Sequence, residues 1–264
     1  MVKSCIALVL TLPIAWAQLV APPQLGFVQD SARALRPAYG LAGNFILGPS
    51  ISGTIVAGQI VTAAFDGSFG LLKTDSSLAA FDPQGKLLAA MNVAPGPALF
   101  AFSPGGTTAL AYIASSNSLI EWRGSAFAPV SLQDQELIPG AVLAIAFPTP
   151  SEVSLIFESG GVICKLGLPL GKQGSISESS LAGVQAPLLV LPSGDVVYRD
   201  AAGIVIRKSG AAEVRIAASL PALFSLQQMN RDWVQLTDLN SSAHFAIRAT
   251  AGREGFYRLP EQIK

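Results

Sequence analysis

The stretch FAFSPGGTTALAY, residues 100–112, runs apolar, stops at Ser-Pro-Gly-Gly, and runs apolar again. The same shape returns as IAFPTPSEVSLIF at 145–157 and as LLVLPSGDVVY at 188–198. Taking the last apolar residue before each turn as an anchor gives Phe65, Phe102, Phe147, Leu191 and Leu226, spaced 37, 45, 44 and 35 residues apart. Each copy has the same sequence of events. A short apolar strand enters a turn, a second strand follows, and after a Gly- or Ser-rich break come two more. Proline presets φ in these turns, glycine accepts positive φ, and Ser or Asp bonds the turn backbone.

The copy at 98–132 reads ALFAF, SPGG, TTALAYI, ASSN, SLIEW, RGSA, FAPVSL. That at 187–218 reads PLLVL, PSGD, VVYR, DAAG, IVIRK, SGAA, EVRIAA. The apolar pieces are too short for helices and are rich in residues that favour strands. LQQMNRDWVQL, 226–236, is the most helix-like by composition, but its register with the other copies predicts two strands around a turn. Four short antiparallel strands recurring about every 40 residues predict an all-β fold, a β-propeller. Five copies span about 59–260, and LGFVQD, ALRPAYG, NFILG and ISGTIVAG within 24–58 supply four more strand candidates. Six blades of four strands is therefore the expected architecture, with five or seven as alternatives. In one alternative the first two strands complete the last sheet and so close the ring.

FAFSPGG resembles the F-S-P-D-G turn of periplasmic and WD-type propeller repeats, the TolB-like group included, with Gly105 where that pattern has Asp. LPSGD at 191–195 and DPQGK at 82–86 are looser versions. The stretches at 25–44 and 244–261 resemble uncharacterised secreted propeller-like proteins of soil bacteria. The resemblance implies an exported propeller and assigns it no activity. The WD and GH dipeptides of interaction propellers and the sialidase box are missing.

The 264 residues are 50% apolar and 13% charged, and 17 basic residues balance 17 acidic ones. Nucleic-acid binding needs clustered positive charge, and Arg207-Lys208 and Arg248 with Arg253 are too sparse to provide it. Residues 1–17, MVKSCIALVLTLPIAWA, have the layout of a secretory signal peptide: Lys3, an apolar run, and Ala15-Trp16-Ala17 as an A-x-A cleavage site. The expected organisation is this signal followed by a single propeller domain over 18–264, secreted or periplasmic, with no transmembrane segment. Cys5 is poorly placed for a lipid anchor, and cleavage leaves Cys164 alone. That excludes an internal disulfide, and strand alternation in GGVICKLGL points Cys164 into a core.

No catalytic or cofactor-binding residue is assigned. His244 is the only histidine, and it is read as a strand residue whose ring bonds to a loop. A Cys164–His244 pair would have to reach across an intervening blade. No phosphate loop or nucleophile elbow is present. Carboxylates are the remaining candidates for chemistry, because glycosidic cleavage can use two. Asp66, Asp82, Asp134, Glu136, Asp195, Asp200, Asp232 and Asp238 mostly fall in expected turns. Glu121 and Glu158 lie near strand interiors or ends, and facing the channel they could hold calcium or a sugar, as in six-bladed lactonases. Trp122, Trp233, Tyr112 and Tyr198 are expected in inter-blade packing. Phe256 and Tyr257 face opposite ways, so closure or a partner must cover one of them. The polar stretch 168–183, LPLGKQGSISESSLAG, reads as an irregular insert able to cover one face of the ring. The favoured function is a non-enzymatic binding or scaffold propeller outside the cytoplasm, its partner an envelope protein, peptide or glycan. The alternative is a calcium-dependent lactonase-like or glycan-cleaving hydrolase, which makes calcium the one cofactor to consider.

Overall fold

A computed structural model describes residues 22–51, 53, 58–131, 140–170, 175–210 and 212–260. Its strands form six antiparallel sheets, five of four strands and one of three, each connected in chain order. They are the blades of a six-bladed β-propeller: blade 1 (24–47), blade 2 (62–92), blade 3 (98–130), blade 4 (142–180), blade 5 (188–217) and blade 6 (224–258). The first strand of every blade contributes to the wall of a central channel. The signal-peptide segment 1–17 lies outside the described residues, as do Asp134, Glu136 and most of ISGTIVAG.

The blades are held by six apolar layers, one at each interface around the ring. Phe27, Phe65 and Phe81 meet between blades 1 and 2. Phe69, Phe102 and Trp122 fill the space between blades 2 and 3. Tyr112, Phe147 and Phe157 lie between blades 3 and 4, and Tyr198 among smaller aliphatics between blades 4 and 5. Phe224, Phe245 and Phe256 separate blades 5 and 6, and Phe45, Trp233 and Tyr257 separate blades 6 and 1. Period-two alternation explains how one strand serves two layers. Phe256 stacks on Phe245 at 4.9 Å, while Tyr257 turns the other way to Phe45 and Trp233.

Blades 3 and 5 follow their predicted strands, and 226–236 forms two strands around a turn, Phe224–Gln228 and Trp233–Asp238. Other details differ. In blade 4 the first strand runs on to Thr149, with Pro148 at a register shift between Ala146 and Thr149, so the turn comes after Phe147 and not at it. A bulge tolerates proline because it needs no ladder N–H there. In blade 6 the turn closes through Met229 N–H to the Trp233 carbonyl (2.9 Å), three residues beyond the Leu226 anchor. Parts of the stretch 168–183 belong to blade 4 and not to an insert, while 171–174 lie outside the described residues. Leu168 and Pro169 end the third strand of blade 4, and Ser177–Ser180 is its outer strand. All four of those serine and glutamate residues are exposed, so no apolar alternation marks them.

The ring closes without a strand shared between the first and last sheets, among the described residues. The Gln235 side chain of blade 6 substitutes for one. Its Oε1 accepts from Gln29 N–H (2.9 Å) and its Nε2 donates to the Gln29 carbonyl (2.7 Å), reproducing the donor–acceptor pair of a neighbouring strand. Gln29 Nε2 in turn donates to the Ile60 carbonyl (2.7 Å), the approach to blade 2. Asn230 Nδ2 donates to the Leu25 carbonyl. At Gly26 (φ 140°) a Cβ would stand 2.0 Å from the Met229 carbonyl oxygen, so only glycine permits this approach.

Gln235 is 1% exposed, so Gln235→Leu strands two part-buried backbone groups of Gln29 in blade 1. We expect a loss of about 2–4 kcal/mol, read as a lower urea midpoint at unchanged slope. An unchanged midpoint would remove Gln235 from ring closure.

Candidate functional site

The channel is a cavity of about 250 Å³ with two unlike halves. Blades 3, 4 and 5 present only apolar residues, among them Leu99, Phe100, Leu143, Ile145 and Leu189, whereas all the polar lining side chains, Ser225, Gln227, Gln228, Gln29 and Thr62, come from blades 6, 1 and 2, alongside Val61, Ala63, Ala64 and Leu226. Within the polar half Gln29 is committed to ring closure, and Thr62 Oγ1 accepts from Ala98 N–H (3.2 Å). Gln228 is 2% exposed, and its Nε2 has no hydrogen-bond partner.

One end of the channel is bridged. The first turns of all blades lie on one face, because the inner strands run in one direction. From the first turn of blade 6, Arg231 Nε and Nη2 donate to Asp66 Oδ2 of blade 2 (3.0 and 2.9 Å), and Nη1 donates to the Pro104 carbonyl of blade 3 (2.8 Å). Blades 6 and 3 are opposite one another in a six-membered ring, so this side chain crosses the axis. Room for it is made at Gly106, where a Cβ would lie 1.9 Å from Arg231 Nη2 and 2.7 Å from Asp66 Oδ2. Gly106 belongs to the repeated SPGG turn.

The Asp66 side chain is fully buried while that of Arg231 remains 43% exposed. Burial pushes the Asp66 carboxyl above its ordinary range, and the Arg231 guanidinium pulls it partly back. The Gln228 amide lies close enough to lower it slightly further. Even so, neither Gln228 Nε2 nor Asp66 Oδ1 attains hydrogen-bond geometry.

The remaining residues singled out from the sequence are dispersed. Glu121 lies on the third strand of blade 3, paired with Arg123 (2.7 Å), and Glu158 is exposed near the end of the second strand of blade 4. Neither reaches the channel, and no carboxylate is among its described lining. The condition for calcium or sugar binding by this pair, that both face the channel, is not met: Glu121 is on a third strand and Glu158 is an exposed residue near the end of a second strand. The turn aspartates bond turn backbones, as expected. Asp82 accepts from Gln84 and Lys86 N–H (2.9 and 2.8 Å), and Asp200 from Ala202 and Gly203 N–H (2.8 and 3.0 Å). These bonds, led by that from Ala202, hold the Asp200 carboxyl below its ordinary range. Asp238 is lowered likewise, chiefly by Ser241. Asp195 pairs with Lys208 (3.3 Å), and Asp232 is exposed. No group of three or more His, Cys, Asp or Glu able to hold a metal occurs among the described residues.

His244 sits on the third strand of blade 6 and bonds not to a loop but to the adjoining strand. Its Nδ1 lies 3.0 Å from Gln235 Nε2 and 3.1 Å from Thr237 Oγ1. An amide nitrogen cannot accept, so Nδ1 is the acceptor and the proton resides on Nε2. Burial lowers the His244 pKa against a smaller opposing effect of Asp30. The ring thus buttresses the Gln235 amide that closes the seam. Cys164 is half-buried on blade 4, with blade 5 between it and His244, and is not fully within a core as alternation predicts. Tyr112, Tyr198, Trp122 and Trp233 are buried between blades. The Arg207 guanidinium is absorbed by Glu213 (2.7 Å) and the Tyr198 ring, and that of Arg248 lies over Trp233. Sequence reasoning missed the Arg231–Asp66 bridge and the glutamines of the channel. The bridge joins residues 165 positions apart, and the glutamines are indistinguishable in sequence from ordinary polar strand residues.

A six-bladed propeller with a two-faced channel bridged at one end defines the class. No family model matches the chain, and no curated protein matches it. Among solved structures, TolB from Acinetobacter baumannii superposes with a TM-score of 0.57 at 14% identity, over 92% of this chain and 65% of that one. A chain of the nidogen/laminin complex superposes with a TM-score of 0.54 at 11% identity, over 89% of this chain and 92% of that one. These likenesses establish the propeller fold.

Arg231→Met leaves a buried carboxylate without its cation. Because Arg231 is half-exposed, we expect a loss of about 1–3 kcal/mol at neutral pH, below that of a fully buried pair. A carboxyl raised above its unfolded pKa holds more protons in the folded state, so its contribution to stability falls as pH rises through the raised pKa. Losing Arg231 raises that pKa further. The deficit of Arg231→Met should therefore shrink on acidification towards the ordinary carboxylate range, and Asp66→Asn in the same background should restore part of it. Urea unfolding across pH measures both, and a pH-independent deficit would contradict the charge account.

Proposed function

We propose that this chain is an exported, non-enzymatic binding propeller that receives part of a peptide, glycan or envelope protein through the unbridged mouth of its channel. The observation that carries this reading is the channel wall, wholly apolar on one half and carrying amides and hydroxyls among apolar residues on the other. Such a wall orients a ligand by hydrogen bonds and apolar contact. Arg231, Asp66 and Gly106 obstruct the opposite mouth, so access is from the side where the inner strands begin. Export rests on the signal-like layout of residues 1–17. No helix among the described residues is long and apolar enough to cross a membrane.

Ser225 is exposed and lines the channel, so Ser225→Trp narrows the mouth without entering a core. Peptides or neutral oligosaccharides retained by immobilised wild-type protein should be lost from this variant at an unchanged thermal midpoint. Equal retention by both proteins would displace the binding site from the channel.

Two further measurements address location and the enzymatic alternative. Residues 1–17 fused to an alkaline phosphatase that is active only after export should give active enzyme, and the mature chain should begin at Gln18. A silent fusion would refute export. Millimolar calcium should leave the thermal midpoint where it is; a rise of several degrees would instead support the lactonase-like reading.

A further inference from the structure

Five of the six inter-blade layers contain phenylalanine or tryptophan. The layer between blades 4 and 5 has Tyr198 as its only aromatic, among Ala, Val, Leu and Ile. There the packing leaves a second cavity of about 130 Å³, bounded by Ala146, Ile156, Leu181, Val190, Leu191 and Lys165, among others. Those side chains are apolar with one exception. The exception stands where strand alternation calls for an apolar residue. Along Val162–Pro169, Ile163 faces blade 5, Cys164 faces blade 3, Lys165 faces blade 5 again, and Leu166 faces blade 3. The strand neighbours opposite Lys165 are Ile156 and Ser179, neither of them acidic. Among the described residues the Lys165 side chain has no ion-pair or hydrogen-bond partner.

Lys165 is partly buried and its side chain lines this otherwise apolar cavity, so its ammonium can give a charge-assisted hydrogen bond to an acid group seated there. An apolar cavity of about 150 Å³ accepts a benzene-sized hydrocarbon, so this one suits a group of similar or slightly smaller size. We infer that the pocket between blades 4 and 5 binds a small apolar carboxylate, its hydrocarbon part among Ala146, Ile156, Leu181 and Val190 and its acid group on Lys165. Charge complementarity selects the acid over a neutral hydrocarbon of the same shape. The pocket shares no lining residue with the channel, so this inference stands or falls independently of the proposed channel ligand.

The test is calorimetric titration of the full chain with benzoate and hexanoate, and with hexan-1-ol as the neutral counterpart. Both acids should bind saturably and more tightly than the alcohol. Lys165→Met keeps the apolar stem and removes the charge. It should weaken the acids at least about tenfold, the scale of one charge-assisted hydrogen bond, and leave the alcohol unaffected. Lys165→Arg should retain binding, and the thermal midpoint of Lys165→Met should not fall, since the substitution breaks no ion pair and keeps the apolar stem. No saturable binding of either acid to wild type at millimolar concentration, or equal acid affinity in Lys165→Met, would overturn the proposal.

Discussion

Every blade depends on its neighbours, because a small twisted sheet has two apolar faces and can cover neither alone. A strand such as that carrying Phe256 and Tyr257 sends consecutive side chains into two different layers. Burial of apolar surface, the dominant favourable contribution to folding, therefore becomes complete only when the ring closes. This accounts for a composition that is half apolar in a protein made of narrow sheets, and it turns closure of the ring into the step on which the other layers depend.

Among the described residues, closure is achieved by side chains. A strand exchanged between the first and last blades would pair one whole sheet edge. Gln235 instead presents one acceptor and one donor to Gln29, and the Phe45–Trp233–Tyr257 layer supplies the apolar contact. His244 accepts from the same amide or from its neighbour Thr237. The lone histidine, which in sequence invites a catalytic reading, thus belongs to the seam. Arg231 adds a contact across the axis, from blade 6 to blades 2 and 3. It joins non-adjacent blades, so it restrains the ring against opening and obstructs one mouth of the channel at the same time.

The parts of this architecture legible in the sequence are those where local chemistry and position agree. Blades 3 and 5 are readable because their inner strands are continuously apolar and their turns carry Pro, Gly, Ser or Asp. Blade 1 is readable through LGFVQD, ALRPAYG and NFILG, and its Asp30 N–H closes a first turn on the Ala34 carbonyl as Asp66 does on Phe69. Outer strands are harder. Ser177–Ser180 is exposed throughout and carries no alternation. The bulge at Pro148 and the late turn at Met229 shift two anchors of the repeat. Contacts across the ring leave no local trace at all, since nothing near Asp66 announces Arg231. Lys165 is intermediate: its break in alternation is visible in GGVICKLGL, but the cavity beside it is not.

Gly106 shows how one residue serves both levels. In sequence it is one of two glycines in a repeated turn, and its φ of 64° is what such a turn requires. Turn geometry alone would tolerate Asn or Asp there. Space does not, because the guanidinium of Arg231 and the carboxylate of Asp66 occupy the volume a side chain would need. Blade 3 can therefore carry a glycine-rich turn for a reason that its counterparts in the other blades lack, and the repeat hides that reason by making the glycine resemble any other turn glycine. The same argument applies to the channel wall. Glutamine on an inner strand satisfies the strand, but Gln29 is used for closure while Gln228 keeps an unpartnered amide beside the axis. Individuality in this fold lies in what neighbouring copies place opposite a residue, and the polar half of the channel arises where blades 6, 1 and 2 meet around the seam.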